Sequence, residues 1–293
     1  MRAFKQVDVF TAVPYRGNPV AVVMDGSELS DEQMQRFAHW TNLSETTFLL
    51  PPTDSAADYR LRIFTPGSEL PFAGHPTIGS CHAWVQAGGV PRTEGTIVQE
   101  CAVGLVPLRM FNGRLAFAAP PLLRSGSVDE SDLELVARVL QINRSEILDA
   151  AWADNGPGWV AVRLSSAEAV RALQPDFGVV ESSGNGVVGP SPLGAVGLTT
   201  IGVPGPESSD ETAIEVRAFF RAGDVIAEDP VTGSLNAAVA QWLLSSGDLT
   251  APYVAGQGSA LGRDGRVYID EADGEVWVGG DAVTCIDGSV ALG

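Results

Sequence analysis

The sequence predicts an α+β fold of two pseudo-symmetric halves, each a curved, mostly antiparallel sheet wrapped round one central apolar helix. Three observations predict it. Gly74-His75-Pro76-Thr77-Ile78-Gly79-Ser80 follows an extended run, Arg62-Ile63-Phe64, and opens the small-residue segment Cys81 to Ala87. The same layout returns as Arg217-Ala218-Phe219, then Asp229-Pro230-Val231-Thr232-Gly233-Ser234, then Leu235 to Gln241. Positions 62 and 217, 64 and 219, 77 and 232, 83 and 238, and 86 and 241 are each 155 apart and hold Arg, Phe, Thr, Ala and Gln in both halves. Both segments are apolar nearly all round, the pattern of a helix buried in a core rather than laid on a surface.

Taken in order, Phe4 to Phe10 alternates as a strand does, and Pro14 to Pro19, with Arg16-Gly17-Asn18, is a turn before a short strand, Val20 to Met24. Ser30-Asp31-Glu32-Gln33 is a capping box that starts a helix ending near Trp40. Glu45 then stands where that helical stretch gives way to the strand ending Phe48-Leu49-Leu50, and Tyr59 to Phe64 is the next strand. The helix after Gly79 stops at Gly88-Gly89, and Thr96 to Cys101, Gly104 to Met110 and Leu115 to Ala118 complete the first half.

Ala119-Pro120-Pro121 marks the boundary between residues 1–118 and 119–293. The last ~15 residues of the chain are expected to return to the first half. In the second half, Ser131 to Glu134 and Ser165 to Glu168 read as capping boxes, with the first helix running to about Leu140 and the second stopping before Pro175. Trp159 to Leu164, Leu198 to Gly202, Ala213 to Phe220, Gly265 to Ile269, Val276 to Val278 and Ala282 to Ile286 read as strands. Residues 181–198 read as loop. They contain Gly184-Asn185-Gly186-Val187-Val188-Gly189, but Pro190 and Pro192 forbid the helix that a dinucleotide-binding turn requires.

Composition excludes several classes. The chain has 293 residues and a net charge of −18, which repels nucleic acid and anionic membranes. No apolar run approaches the roughly 18 residues that span a bilayer. Cys81, Cys101 and Cys285 fit neither a disulfide framework nor a zinc site, so buried free thiols and a cytoplasmic location are expected. No histidine pair has metal-ligand spacing, and no metal or cofactor is predicted.

The two Gly/Thr/Ser turns carry the functional signal. A turn ahead of a buried helix leaves backbone N–H groups free, and such an end binds carboxylate or phosphate. His75 lies inside the first turn, whereas His39 and His82 sit on helices as structural residues would. Asp229, in the 155-residue register, takes the place of Gly74; Asp before Pro also simply sets a turn. Glu45 by position alone reads as a solvated carboxylate. If the halves face each other, both helix ends open on one cleft, with His75 on one side and Asp229 on the other.

The chain resembles the PhzF-like family of phenazine-biosynthesis isomerases, within the diaminopimelate epimerase-like fold. The resemblance runs over Val7-Asp8-Val9-Phe10, Gly17-Asn18-Pro19, Asn42 to Thr46, Phe64-Thr65-Pro66, Gly74 to Thr77, Glu228 to Ser234, Gln257-Gly258, Gly262 to Arg266 and Gly279-Gly280. It implies that Glu45 is the acid/base residue and that His75 and Asp229 complete the proton-handling set. It also implies that Gly74, Thr232, Gly233 and Ser234 bind the carboxylate of a small substrate, with Asn18 lining the cleft. The implied reaction is a cofactor-free isomerisation of a dihydro-hydroxyanthranilate, and the implied assembly is a homodimer.

Two alternatives stand beside this reading: an amino- or hydroxy-acid epimerase, and a non-catalytic small-molecule binder. Epimerase relatives use one cysteine in each Gly-rich turn, and none of the three cysteines here lies in either turn. Arg221, in Phe219-Phe220-Arg221-Ala222, departs from the family's usual run and is a candidate to alter substrate choice.

Overall fold

The computed structural model describes residues 1–111, 113–176, 200–207, 211–222 and 225–292. The loop expected at 181–198, with its glycine motif, lies outside the described residues, as does the side chain of Arg221.

The first half comprises β1 (Arg2–Val9), β2 (Asn18–Val23), α1 (Asp31–Thr41), β3 (Glu45–Leu50), β4 (Tyr59–Phe64), β5 (Glu69–Leu70), α2 (Gly74–Gln86), β6 (Thr96–Cys101), β7 (Gly104–Phe111) and β8 (Arg114–Ala118). The connecting segment holds β9 (Arg124–Gly126) and α3 (Glu130–Leu140). The second half comprises β10 (Asp149–Asp154), β11 (Trp159–Arg163), α4 (Ala167–Arg171), β12 (Thr200–Pro206), β13 (Ile214–Ala222), β14 (Val225–Asp229), α5 (Gly233–Ser246), β15 (Tyr253–Gln257), β16 (Gly265–Ala272) and β17 (Glu275–Gly280). The last strand is β18 (Ala282–Val290).

The pairing repeats. β1 is antiparallel to β2, β2 parallel to β3, β3 antiparallel to β4 and β4 parallel to β6. β10 to β15 keep the same scheme: β10 with β11, β11 with β12, β12 with β13, and β13 with β15. Each half then adds two antiparallel strands, and β8 and β17, the last of each, pair with one another. The strand after each half's last strand crosses to the other half: β9 pairs with β10, and β18 pairs with β1.

Burial explains the two central helices. Nine of the thirteen residues of α2 and eight of the fourteen of α5 are buried. Ile78 and Cys81 of α2 share one apolar core with Leu235, Ala238 and Leu243 of α5. Small residues also let α2 lie close against the sheet, because a Cβ on Gly79 would lie 2.4 Å from Val20 Cγ1 of β2. The peripheral helices instead cover the outer faces, with α3 and α4 packing over β10–β13 and α1 over β3.

Several boundaries differ from expectation. The capping box at Ser30 and Gln33 is present. At α3 the N-cap is Asp129 rather than Ser131, and at α4 it is Ser166 rather than Ser165. β5, β9, β10, β14 and β15 carry too little alternation to be read from sequence. Cys81 and Cys101 are buried, while Cys285 is only partly so. No helix among the described residues is long and apolar enough to cross a membrane.

The main correction concerns the repeat. The strands keep the 155-residue register, since β4 pairs at Tyr59↔Gln99 and β13 at Ile214↔Ala255. The helices do not: α2 begins at Gly74 and α5 at Gly233, 159 apart. The extra four residues lie in the β13–β14 hairpin, which pairs five residues per strand against two in β4–β5. Ala218 pairs with Asp229 as Ile63 pairs with Leu70, so Asp229 is the counterpart of Leu70 and not of Gly74.

Candidate active site

The N-termini of α2 and α5 meet. A Cβ built on Gly74 would lie 3.3 Å from Gly233 Cα, and one built on Gly233 would lie 3.2 Å from Gly74 Cα and from the His75 backbone nitrogen. Glycine on both sides permits that approach. Neither N-cap, Ala73 or Thr232, makes a side-chain cap bond to its helix. Two helix ends with free N–H groups and positive dipole ends therefore open on one place, which favours an anion.

His75, the second residue of α2, is 4% exposed. Glu45 is the first residue of β3, paired to Val20. His75 Nε2 lies 3.3 Å from Glu45 Oε2, out of line for a hydrogen bond, so both buried atoms are left without a partner. Burial pushes the Glu45 carboxyl up to about 8, with the Asp229 charge adding to the rise. Burial pushes the His75 imidazole down to about 3, against a smaller opposing effect of the Pro19 backbone. Near neutral pH, Glu45 is thus mostly protonated and His75 is neutral.

Asn18, the first residue of β2, ties the two halves together. Its Nδ2 donates to Asp229 Oδ1 at 2.7 Å and to the Val231 carbonyl at 2.9 Å, and lies 3.4 Å from His75 Nδ1. An amide nitrogen has two protons, so the two shorter contacts are its hydrogen bonds. Its buried Oδ1 has no partner. Asp229 ends β14, and its second oxygen accepts from Thr232 Oγ1 at 2.7 Å. Burial raises the Asp229 carboxyl to about 6, while the bonds from Thr232 and Asn18 restrain it. Two carboxyl groups in one site thus differ. Asp229 has both oxygens hydrogen-bonded, whereas Glu45 keeps a buried oxygen free.

On the other side, Trp159 Nε1 donates to Ser234 Oγ at 3.1 Å, and Asn155 Nδ2 donates to the Ser234 carbonyl at 2.8 Å. An indole N–H can only donate, so the serine oxygen accepts and its proton is left for another group. Gly17 is fixed by Asp8, whose Oδ2 accepts from its N–H at 3.0 Å. Gln257, which sequence reasoning assigns no role, bonds three groups of the second turn and Asn236 of the helix it opens. That role is not legible in the sequence, because its partners Thr232 and Asp229 lie 25 and 28 residues away.

The structure therefore brings together Asn18, Glu45, Gly74, His75, Asp229, Thr232, Gly233 and Ser234. His39 and His82 lie apart, His39 against the Pro66 carbonyl and His82 against Thr284. Two surface cavities, of about 390 and 230 Å³, are lined by none of the eight.

Two abutting helix ends, a buried carboxyl beside a neutral imidazole and a second carboxyl across the interface thus meet on a diaminopimelate epimerase-like α+β fold. A family model described as phenazine biosynthesis-like protein matches residues 7–288. The chain belongs to that family, and it is an enzyme of the isomerase class. It is 37% identical to antisense-enhancing sequence 1 of Schizosaccharomyces pombe, over 98% of this chain and 97% of that one. It is 38% identical to the trans-2,3-dihydro-3-hydroxyanthranilate isomerase of Pseudomonas aeruginosa, over 60% of this chain and 62% of that one. The crystal structure of a PhzF-family protein from Bacillus anthracis shares the fold, with a TM-score of 0.81 at 23% identity and 99% coverage of both chains.

Proposed function

We propose that this isomerase moves a proton between two carbons of a small, conjugated carboxylic acid of the dihydro-hydroxyanthranilate kind, with Glu45 as general acid and base and no cofactor in the transfer. The observation that carries the reading is the set of unpartnered buried atoms, Glu45 Oε2, His75 Nε2 and Asn18 Oδ1, beside two converging helix N-termini. Buried polar atoms are ordinarily bonded, so such a cluster is a place for a polar ligand.

In this reading the substrate carboxylate lies at the N–H groups of Gly74, Gly233 and Ser234, with the Ser234 hydroxyl as a further donor. That anchoring holds the reacting carbon near Glu45. A carboxyl raised to about 8 gives up and regains a proton near neutral pH, as a group that must act in both directions needs. His75 serves as a neutral neighbour of Glu45, and Asp229 as the anion that keeps Glu45 high. The N-cap positions hold Ala73 and Thr232, so a pair of opposed thiols is not part of the mechanism.

The relative named for that reaction, 38% identical over 179 residues, supports the substrate class. The test is incubation of trans-2,3-dihydro-3-hydroxyanthranilate in D2O with NMR detection of deuterium at carbon. Wild type is expected to incorporate deuterium, and Glu45→Gln to lose ~10²-fold or more of that rate. Equal rates in the two would remove Glu45 from the chemistry and sink the reading. We further propose a cytoplasmic homodimer, which light scattering at the mass of one chain, 30.6 kDa, would refute.

A further inference from the structure

Gln257, the last residue of β15, is 1% exposed, and its side-chain hydrogen bonds go to the turn that carries Asp229 and Thr232 and to the helix it opens. Its Oε1 accepts from the Thr232 backbone N–H at 3.0 Å and from Asn236 Nδ2 at 2.8 Å. Its Nε2 lies 3.1 Å from the Asp229 carbonyl and 2.9 Å from Thr232 Oγ1. The orientation of this amide is not free. A backbone N–H can only donate and a backbone carbonyl can only accept, so the oxygen must face Thr232 N and the nitrogen must face Asp229 O. The group beside Thr232 Oγ1 is then an N–H donor, and that hydroxyl oxygen must accept. Its single proton is left for its other neighbour, Asp229 Oδ2, at 2.7 Å.

The hydroxyl has no competing duty. Threonine at an N-cap ordinarily accepts from the first turn of its helix, yet Thr232 makes no such bond. We propose that Gln257 is a positioning residue: by occupying the Thr232 hydroxyl oxygen, it aims the hydroxyl proton at Asp229 Oδ2 and holds that oxygen as an acceptor. Asn18 does the same for Oδ1 from the first half. A carboxylate that accepts on both oxygens stays an anion where it would otherwise take a proton, while nearby Glu45 takes one instead. The assignment of separate duties to the two carboxyl groups rests on the function proposed above. The polarity of the Gln257–Thr232–Asp229 chain does not.

The charged and titratable groups that bear on Asp229 are Glu45 and Glu228, and Glu228 is held by Arg217 in a paired contact at 2.7 and 2.8 Å. The test uses whole protein labelled with ¹³C at aspartate Cγ. The Asp229 signal is identified by its loss in Asp229→Asn and tracked through a pH titration by NMR. Thr232→Val and Gln257→Leu should each move the midpoint upward by about one pH unit or more, as loss of a bond to a charged group implies. The double variant should move it no further than Thr232→Val alone, and Thr232→Ser, which keeps the hydroxyl, should titrate as wild type.

A folded Gln257→Leu that titrates as wild type overturns the assignment, and so does a double variant whose shift is the sum of the two. If Gln257→Leu does not fold, the Thr232→Val and Thr232→Ser pair still decides, since equal midpoints there leave no relay for Gln257 to aim. No turnover is needed for this readout. An inactive protein with the expected titrations would fail the functional reading alone.

Discussion

The N-termini of α2 and α5 are alike in backbone and unlike in chemistry. At α2 the second residue is His75, 3.3 Å from Glu45 and 3.4 Å from Asn18. At α5 the corresponding residue is Ser234, held by Trp159 and Asn155. The strand position that is Glu45 in β3 is Thr200 in β12: Val20 pairs with Glu45 as Trp159 pairs with Thr200. One half thus carries the titrating groups of its turn and the other carries donors. Asp229 breaks the pattern by lengthening a hairpin, which brings a second-half carboxyl to within 2.7 Å of Asn18 in the first. A duplicated scaffold supplies two helix ends suited to an anion, and in the proposed reading differences in three or four side chains assign acid-base chemistry to one end and substrate holding to the other.

The sharpest way to break this contrast is to truncate the two equivalent residues and compare kinetics. His75→Ala should lower kcat by ~10²-fold or more, because it removes a group beside the carboxyl proposed to transfer the proton. Ser234→Ala should leave kcat nearly unchanged and raise KM by ~10-fold, the worth of one hydrogen bond to a charged group. If Ser234→Ala lowers kcat as much as His75→Ala does, the division of labour between the two ends is wrong.

The contrast itself is only half legible in the sequence. The turn at Gly74-His75 and its partner at Gly233-Ser234 can be read from small residues ahead of apolar segments, and the two-fold architecture from residues that recur 155 apart. Glu45 cannot be read from its surroundings, since a carboxylate at a strand start is usually solvated; only the family motif around it gives it a role. The repeat singles out Asp229 for the wrong reason. The 155-residue register holds for strands that pair across a sheet, but the longer β13–β14 hairpin displaces α5 by four residues. The role proposed for Gln257 is invisible, although the residue stands in a family motif, because a glutamine in a short strand looks like surface and its partners are brought in by the parallel β13–β15 pairing.

A second contrast concerns stability against pH. Glu45, raised to about 8, and Asp229, raised to about 6, bind protons in the folded state that the unfolded chain releases near 4.5 and 3.8. Folding is therefore penalised by Glu45 as pH rises from about 4.5 to about 8. His75 acts in the opposite sense, because the unfolded imidazole takes a proton near 6.5 that the folded one refuses until about 3. Stability is lost on that account as pH falls below about 6.5. Glu45→Gln should then flatten the decline toward high pH and be more stable than wild type at about pH 9, measured by urea midpoints. Ser234→Ala, which changes no titrating group, should shift the curve without changing its shape. A Glu45→Gln curve parallel to wild type would show that the carboxyl is not raised.

The smallest expected difference separates the two glycines at the meeting point. A methyl on Gly74 would lie 2.5 Å from Phe117 Cζ, inside contact distance of a ring that is fully buried and packed edge-on against Phe72. Phe117 cannot retreat without disturbing the core shared by both halves, so Gly74→Ala should destabilise by ~1–3 kcal/mol, the usual cost of overpacking. A methyl on Gly233 meets only backbone, at 3.2 Å, and a shift of a few tenths of an ångström relieves it. Its cost should be under half as large. At ~2–4 °C per kcal/mol, calorimetry resolves the two. Equal drops in Tm would mean that the helix ends themselves, rather than the Phe117 ring on one side, set the tolerance of the junction. The two ends would then be alike in packing as well as in backbone.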